Sequence, residues 1–311
     1  MRVIFFGTPD FAVESLDAIM QSCHEVAAVV TVPDRQAGRG QKVIYSAVKE
    51  YALEHQLPLL QPEKLRDPDF LSALGAYHAD MFVVVAFRML PEAVWNMPPH
   101  GTFNLHASLL PRYRGAAPIN WAIINGEQET GVTTFLLNHN IDEGAILMQE
   151  KTPIAADETA ESLHDRLAAM GRKLVVRTLD SMAAGTITPT PQQGTSCPAP
   201  KIFKEDCRID FGRTSVEVDR FVRGLAPYPA ATMTLVNPKG ESVPFKVYAV
   251  HPLAEPHGTP CGTLICDGKK VLKIATADGF VQILELQMAG KKKNNIEDFL
   301  RGNSLIDWKS A

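Results

Sequence analysis

Residues 2–12 read Arg-Val-Ile-Phe-Phe-Gly-Thr-Pro-Asp-Phe-Ala, an apolar strand that passes through a turn into the start of a helix. A strand of such continuous apolar character is typical of a parallel sheet that is covered on both faces. Two more strands of this kind are predicted at 25–32 and 81–86, and they alternate with predicted helices at 11–22, 47–55 and 67–77. This alternation predicts a doubly wound, Rossmann-like α/β domain that binds its ligand at the carboxyl ends of the strands.

The turn after the first strand argues against a dinucleotide cofactor. It contains Gly7 but lacks the second and third glycines of the dinucleotide fingerprint, and Pro9 stands where the backbone would approach a pyrophosphate. Hydride transfer with a nicotinamide is therefore not the expected chemistry.

The chain is predicted to form two domains. Strands at 102–106, 131–138 and 145–151 and a long helix at 159–184 extend the first domain, which we place at 1–185. Residues 186–203 are rich in proline and small polar residues, a composition that predicts an extended linker. Beyond it, a helix at 215–224 and about five short strands predict a small OB-like β-barrel domain at 204–311.

Composition narrows the class of protein. Of 311 residues, 45% are hydrophobic and 21% are charged, as in ordinary globular proteins. The amino terminus is not a signal peptide, and no apolar run approaches the ~18 residues that span a bilayer, so a cytoplasmic location without membrane contact is expected. The five cysteines include no Cys-x-x-Cys pair, which predicts free thiols and no metal site.

Charge is distributed unevenly along the chain, whose net charge is −4. Residues 1–200 carry 15 Lys/Arg against 22 Asp/Glu, whereas residues 201–311 carry 16 against 13. The basic second part is weak support for contact with a polyanion, and chance variation in surface charge is an equal alternative.

The segment Asn104-Leu105-His106, followed later by Asp142, has the composition of an active site. Asn104 and His106 are two residues apart, so on a strand their side chains project from the same face. An amide can donate to a developing oxyanion, an imidazole can move a proton, and a carboxylate can orient the ring. The trio suits acyl transfer without a covalent nucleophile. Ser108 lacks a nucleophile elbow, and His139 lacks a third ligand partner for a metal.

Several stretches together resemble the methionyl-tRNA formyltransferase family, within the 10-formyltetrahydrofolate-dependent formyltransferases. They are Gly7-Thr8-Pro9-Asp10-Phe11, residues 33–40 (Pro-Asp-Arg-Gln-Ala-Gly-Arg-Gly), Asn104-Leu105-His106, residues 108–118 (Ser-Leu-Leu-Pro-Arg-Tyr-Arg-Gly-Ala-Ala-Pro), Asp142-Glu143-Gly144, Ile209-Asp210-Phe211, residues 223–229 (Arg-Gly-Leu-Ala-Pro-Tyr-Pro) and Gly290-Lys291-Lys292-Lys293. The resemblance covers nearly the whole chain. It implies formyl transfer from 10-formyltetrahydrofolate, a co-substrate, to the α-amine of methionyl initiator tRNA, with no metal.

The resemblance also implies roles for single residues. His106 would transfer the proton, Asn104 would stabilise the oxyanion, and Asp142 would orient His106 and favour its protonated form. A further set is implied to bind folate: Ser108, Leu109, Leu110, Pro111, Phe87, Arg88, Met89, Leu90 and Asn138. At residues 87–90 the chain departs from the family pattern, and a contact of Arg88 with the folate glutamate tail is a hypothesis beside that of an exposed arginine.

A basic set is expected to contact tRNA. Arg35, Arg39 and Lys42 lie in a glycine-containing loop suited to an RNA backbone, and the resemblance places Arg39 at the acceptor stem. The second part of the chain adds Lys201, Lys204, Lys291, Lys292 and Lys293. A monomer is expected. Two alternatives stay open at this point: a formyltransferase for a sugar nucleotide or purine precursor amine, and an RNA-binding module on an inactive scaffold.

Overall fold

A computed structural model of the chain describes residues 1–37 and 42–310. The chain forms two compact units. Unit 1 comprises residues 1–118, 129–152 and 164–199, and unit 2 comprises residues 119–128, 153–163 and 200–311.

The first two thirds of the chain contain most of the helices. The strands are β1 (Arg2–Gly7), β2 (Glu25–Val30), β3 (Arg35–Ala37), β4 (Lys42–Ile44), β5 (Leu59–Leu60), β6 (Met81–Val85), β7 (Thr102–His106), β8 (Arg112–Gly115), β9 (Glu129–Leu136), β10 (Ile146–Pro153) and β11 (Cys197–Ala199). The helices are α1 (Asp10–Met20), α2 (Ala47–Glu54), α3 (Pro68–Gly75), α4 (Glu92–Trp95), α5 (Pro118–Ile124) and α6 (Ala160–Ala183).

Unit 1 is built on a seven-stranded sheet with the order β10-β9-β7-β6-β1-β2-β5. The pairs β5·β2, β2·β1, β1·β6 and β6·β7 are parallel, and β9 runs antiparallel to β7. The predicted doubly wound α/β fold is confirmed. Because four of its long strands point the same way, their carboxyl ends meet at one edge, where β7 ends at His106.

Burial explains why these strands are continuously apolar. Every residue of β6 is buried, and so is each residue of β1 after Arg2. Alternate side chains enter opposite faces of the sheet, since successive strand residues point in opposite directions. Ile4, Phe6 and Phe82 pack in one core cluster that includes Phe70 and Leu74 of α3. The core therefore needs apolar residues at consecutive positions.

Residues 190–199 pair with strands of unit 1, within the segment 186–203 that the sequence predicts to be an extended linker. β11 pairs with β8, and Thr190 forms an isolated antiparallel bridge with Ile146. Backbone groups that find such partners become part of the sheet edge even where proline is frequent. The predicted domain limits at 185 and 203 stay a prediction, and these contacts end at Ala199.

Unit 2 carries a mostly antiparallel sheet. Its strands are β12 (Ala231–Val236), β13 (Ser242–Leu253), β14 (Leu264–Cys266), β15 (Leu272–Ala275), β16 (Phe280–Met288), β17 (Asn294–Asn295) and β18 (Lys309–Ser310), with helices α7 (Ser215–Leu225) and α8 (Ile296–Gly302). The order is β14-β15-β16-β13-β12-β18, with β17 beside β16. Gly262, just before β14, lies so near β18 that a Cβ on it would be 2.6 Å from the Ser310 hydroxyl. The edges thus approach each other, and the predicted barrel is confirmed as nearly closed.

Two segments that precede the barrel in sequence, residues 119–128 and 153–163, belong to unit 2, which the sequence did not indicate. The Asn120 side chain donates to the carbonyl of Gly224 at 2.8 Å, and Arg223 donates to the carbonyl of Glu158 at the same distance. Ile124 packs against the barrel core. Helix α7 is the partner in these contacts, and its amino terminus is fixed by a capping box between Thr214 and Glu217.

Among the described residues, no helix combines the length and the apolar composition that crossing a membrane requires.

The carboxyl of Asp267, in the turn between β14 and β15, is expected to make the stability of the fold depend on pH. The backbone N–H groups of Val271, Lys269 and Lys270 donate to Asp267 and lower the pKa of its carboxyl to about 2. A depressed folded pKa stabilises the fold above the unfolded value of ~3.9, and this contribution is lost as the pH falls toward 2. In a carbon-13 titration, the Asp267 carboxyl resonance, assigned with Asp267→Asn, should have its midpoint near 2. A midpoint near ~3.9 would contradict the hydrogen bonds.

Candidate active site

Asn104 and His106 lie in the carboxyl-terminal half of β7, near the sheet edge where the parallel strands end. In the sheet Asn104 stands between Val84 of β6 and Phe135 of β9. Its side chain is half-buried, and within residues 1–37 and 42–310 it has no hydrogen-bond partner. A partly buried amide without a hydrogen-bond partner is costly. Such a group gains by donating to a ligand, so the Asn104 amide is an available donor.

The His106 ring is fixed by a backbone carbonyl. Its Nε2–H donates to the carbonyl oxygen of Tyr113 at 2.7 Å, and the side chain is only 7% exposed. A carbonyl can only accept, so Nε2 carries a proton in both the neutral and the charged ring. Nδ1 is therefore the nitrogen that can gain or lose a proton.

Asp142 approaches that second nitrogen without bonding to it. Its Oδ2 lies 3.9 Å from His106 Nδ1 and accepts the backbone N–H of Gly115 at 2.9 Å. At 3.9 Å the His106 contact is an ion-pair distance, too long for a hydrogen bond. The orienting role of Asp142 stays a prediction; in the structure the ring is hydrogen-bonded to the Tyr113 carbonyl, and the Asp142 carboxylate lies near Nδ1.

Ser108 to Pro111 form a tightly hydrogen-bonded loop after β7. The Ser108 hydroxyl donates to the carbonyl of Arg112 at 2.6 Å, and Ser108 is fully buried. Thr133 of β9 donates to the carbonyl of Ser108 and accepts from Leu110 N, while Gln149 donates to the carbonyl of Leu110 at 2.9 Å. The loop is thus preformed, and the Ser108 hydroxyl is engaged with the backbone.

The segment after β6 is held in place by its own contacts. Phe87 packs edge-on against Phe6, and Leu90 is buried while Met89 is 70% exposed. Arg88 donates from Nη1 to the carbonyl of Glu63 at 2.9 Å and from Nη2 to the carbonyl of Pro62. Burial lowers the pKa of Arg88. Its guanidinium already binds two backbone carbonyls, an arrangement that the folate-tail hypothesis did not anticipate.

The loop before Asp142 is exposed. Asn138 accepts the backbone N–H of Asn140 at 2.9 Å, an Asx turn that leads the chain toward Asp142. His139 is 70% exposed and lies 3.6 Å from Glu92. Within the described part of the chain, two members of the predicted folate set, Ser108 and Leu110, hydrogen-bond to Thr133 of β9.

The basic residues predicted to contact tRNA fall into two groups. Arg35 lies exposed on β3, Lys42 begins β4, and Arg39 lies outside the described residues. Lys201, Lys204, Lys291, Lys292 and Lys293 are exposed in unit 2. Lys293 pairs with Glu285 at 2.7 Å, whereas Lys291 and Lys292 have no ion-pair partner in the part of the chain that the structure describes.

The structure adds site residues that the sequence did not reveal. The Tyr113 carbonyl carries no side-chain signature, and Thr133 and Gln149 sit in ordinary strand sequence. Gln192 lies in the predicted linker, yet it donates to the carbonyls of Asp142 and Gly144 at 2.8 and 2.9 Å. Such contacts join distant parts of the chain, and local sequence patterns cannot report them.

One cluster among the described residues has ligand atoms near enough to share a metal ion. It consists of Cys23, His24 and Asp180. His24 Nε2 already lies 3.0 Å from Asp180 Oδ1, which accounts for the cluster as a hydrogen-bonded pair. Because Cys23 and His24 precede β2, they lie at the amino ends of the parallel strands, opposite the edge that holds His106.

Two surface cavities lie away from the trio. One of about 400 Å³ is lined by residues of 62–70, and another of about 290 Å³ is lined by residues near Asp80 and Pro98. Asn104, His106 and Asp142 line neither. We therefore define the site by the unpartnered amide and the fixed ring rather than by these cavities.

Two family models match the chain. Residues 1–179 match the model described as formyl transferase, and residues 201–304 match the model for the formyl transferase C-terminal domain.

Curated relatives align over nearly the full length. The chain is 53% identical over 312 residues to the methionyl-tRNA formyltransferase of Bacteroides thetaiotaomicron, covering 99% of this chain and 97% of the relative. It is 49% identical to the enzyme of the same name from Flavobacterium johnsoniae, covering 99% of this chain and 98% of the relative.

Solved structures share the fold at lower identity. HypX from Aquifex aeolicus in complex with tetrahydrofolic acid matches with a TM-score of 0.64 and 20% identity over 100% of this chain and 51% of that one. WlaRD, a sugar 3N-formyl transferase solved with dTDP and 5-N-formyl-THF, matches with a TM-score of 0.65 and 20% identity over 94% of this chain and 99% of that one.

Replacing Thr133 tests whether the loop after β7 depends on its hydroxyl. Thr133→Val keeps the shape of the side chain but removes a donor to Ser108 O and an acceptor for Leu110 N, both in a buried region. Each buried group left unpaired costs about 1–3 kcal/mol, so the free energy of unfolding in urea should fall by at least that amount. Thr133→Ser, which keeps the hydroxyl, is the matched control. Equal losses in both variants would contradict the assignment.

Proposed function

The chain belongs to the methionyl-tRNA formyltransferase family, and we propose that it transfers a formyl group from 10-formyltetrahydrofolate to the α-amine of methionyl initiator tRNA. The observation that carries the proposal is the Asn104 amide, which has no partner among the described residues and shares a strand face with a histidine whose Nδ1 makes no hydrogen bond to them. Two curated relatives with that name are 53% and 52% identical to the chain, and the alignments cover 97% and 96% of their lengths.

The formyl donor supplies an acyl carbon bound to a leaving nitrogen. Folate donors are supported by the family match and by the tetrahydrofolate and formyl-folate named with structural neighbours of the same fold. The chain's own residues fit this chemistry, since an amide donor and a proton carrier are what acyl transfer to an amine requires. The one-carbon form of the donor is part of the proposal.

Asn104 is proposed to stabilise the oxyanion. As the methionyl amine attacks the formyl carbon, negative charge develops on the formyl oxygen, and the Asn104 side-chain N–H can donate to it. No described residue competes for this donor. A donor preorganised in a half-buried position is worth more than one in water, because it does not have to be reoriented during the reaction.

His106 is proposed to move the proton. The amine loses one proton on forming the new C–N bond, and the leaving N10 of the folate gains one as the old C–N bond breaks. Nδ1 is the ring nitrogen that can carry this proton, because Nε2–H remains bound to the Tyr113 carbonyl. The fixed ring needs only to exchange the proton at Nδ1 and does not have to flip.

Asp142 is proposed to act by its charge. Its carboxylate lies 3.9 Å from Nδ1 and is itself held by Gly115 N. A negative charge at that distance stabilises the imidazolium that forms when Nδ1 takes up the amine proton. Because the carboxylate is only 15% exposed, water screens this interaction less than it would at the surface.

The folate is proposed to bind along the preformed loop Ser108 to Pro111, with Phe87 to Leu90 and Asn138 as further contacts. The hydrogen bonds from Thr133 and Gln149 support this assignment because they fix the loop before any ligand binds. For Arg88 we propose a positioning role: its guanidinium holds the carbonyls of Pro62 and Glu63 near the end of β6.

The tRNA is proposed to bind through Arg35, Arg39, Lys42, Lys201, Lys204, Lys291, Lys292 and Lys293. Exposed cations that lack an internal partner bind phosphates at the smallest cost, because no ion pair has to be broken. Lys291 and Lys292 meet this condition among the described residues, whereas Lys293 is paired with Glu285. We propose that the enzyme acts as a monomer in the cytoplasm.

The proposal is tested by offering 10-formyltetrahydrofolate with several acceptors: charged initiator tRNA, charged elongator tRNA, glycinamide ribonucleotide and an amino-sugar nucleotide. We expect formylation of the methionyl initiator tRNA. Asn104→Ala should lower kcat by about 10²–10³-fold, since one oxyanion donor is lost.

Two results would contradict this scheme. Preference for the ribonucleotide or the sugar nucleotide would replace the proposed acceptor while keeping the formyl chemistry. An unchanged kcat for Asn104→Ala would remove the oxyanion role. Circular dichroism and melting of the variant serve as the control that the fold is intact.

The free lysines predict a change in the salt dependence of tRNA binding. Lys291→Ala and Lys292→Ala should each weaken binding and reduce the slope of log K against log salt by roughly 1, because one phosphate contact is lost. Lys239→Ala, an exposed lysine in the turn between β12 and β13, is the matched control. If the control changed the slope as much as the two variants, the lysine assignment would fail.

A further inference from the structure

The side chain of Gln192 is held by four hydrogen bonds within unit 1. Its Nε2 donates to the carbonyls of Asp142 and Gly144 at 2.8 and 2.9 Å. Its Oε1 accepts from Arg114 Nε at 3.1 Å and from Arg114 Nη2 at 2.7 Å. Both the oxygen and the nitrogen of the Gln192 amide are thus hydrogen-bonded, although the residue lies in a segment of linker composition.

The turn that Gln192 binds is unusual in its backbone. Asp142 has a φ of 54°, in the left-handed region that only a few residue types adopt readily. At Gly144 a Cβ would lie 1.5 Å from the carbonyl oxygen of Leu136, so no side chain fits there. A turn of this kind needs partners to persist, and the two carbonyls on either side of Glu143 find theirs in Gln192.

On its other side, Gln192 contacts Arg114 of β8. Arg114 donates its remaining Nη1 to Glu143 at 2.8 Å, so this arginine binds both Gln192 and the turn itself. Arg114 stands between Tyr113, whose carbonyl fixes the His106 ring, and Gly115, whose N–H holds the Asp142 carboxylate. Gln192 therefore connects the strand that orients the ring to the turn that carries the charge.

We propose that Gln192 is a positioning residue for the transfer reaction, which keeps the Asp142 carboxylate at the Nδ1 side of the His106 ring. The inference rests on the proposed function for its kinetic consequence, while the positioning itself is a property of the fold. Residues 190–199 thereby contribute to the active site.

The chemistry requires an amide at this position. The group must donate to two carbonyls and accept from a guanidinium, and only an amide side chain does both. A glutamate could still pair with Arg114, but its oxygens would face the carbonyls of Asp142 and Gly144. A methionine has the length of glutamine and would lose all four hydrogen bonds.

The experiment compares Gln192→Met and Gln192→Glu with Gln193→Met. Gln193 is the adjacent, exposed glutamine, and it has no hydrogen bond within the described residues. For both Gln192 variants we expect kcat for formyl transfer to fall by up to about 10²-fold, the cost of misplacing a reacting group, while KM for either substrate changes little. Gln193→Met should behave as the unmodified enzyme.

A double-mutant cycle separates positioning from a general loss of stability. If Gln192 acts through Asp142, its replacement should have little further effect on kcat in the Asp142→Asn background, because the charge to be positioned is already absent. Multiplicative losses in the double variant would overturn the proposal, as would equal kcat values for Gln192→Met and Gln193→Met.

Hydrogen exchange of the Gly115 amide gives a readout that does not depend on the reaction. This N–H is held by Asp142, so it should exchange faster in Gln192→Met than in Gln193→Met. If the unmodified enzyme transferred no formyl group, the proposed function would fail and this exchange would still decide the positioning role. Unchanged exchange in Gln192→Met would overturn the inference even in an active enzyme.

Discussion

The hydrogen bond from His106 Nε2–H to the Tyr113 carbonyl is the contact on which the rest of the site depends. Because a carbonyl only accepts, the bond assigns one proton to Nε2 and leaves Nδ1 as the nitrogen that can exchange one. The same nitrogen lies 3.9 Å from the Asp142 carboxylate. A single backbone contact thereby leaves Nδ1 as the ring nitrogen for the proposed proton transfer, and this nitrogen is on the side of the ring where the Asp142 carboxylate lies.

The fold serves this contact through its sheet. β7 lies between a parallel neighbour and an antiparallel one, so its last residues are rigid, and Asn104 and His106 share a face. The chain then returns through β8, where Tyr113 and Gly115 present a carbonyl and an N–H. Asp142 comes from the loop after β9. Two strands and the loop after a third therefore bring together the amide, the imidazole and the carboxylate.

Much of this arrangement was predictable. Apolar continuity located β1, β2 and β6 to within two residues, and the spacing of Asn104 and His106 placed both on one strand face. The linker composition of residues 186–203 was less informative, since Gln192 and β11 belong to unit 1. Proline content reports backbone preference, but a segment is fixed by partners distant in sequence, and composition does not reveal these.

The sequence by itself determined the strand pattern, the candidate catalytic side chains and the family, because these depend on local hydrophobic spacing and on motifs of adjacent residues. Only the tertiary structure decided which His106 ring nitrogen has no hydrogen bond, how far Asp142 lies from that nitrogen, and that residues 119–128 and 153–163 join unit 2. The physical reason is that backbone carbonyls and N–H groups are the same at every position. Packing between segments that are distant in sequence selects which of these groups become partners, and the residue type at a position does not reveal that choice.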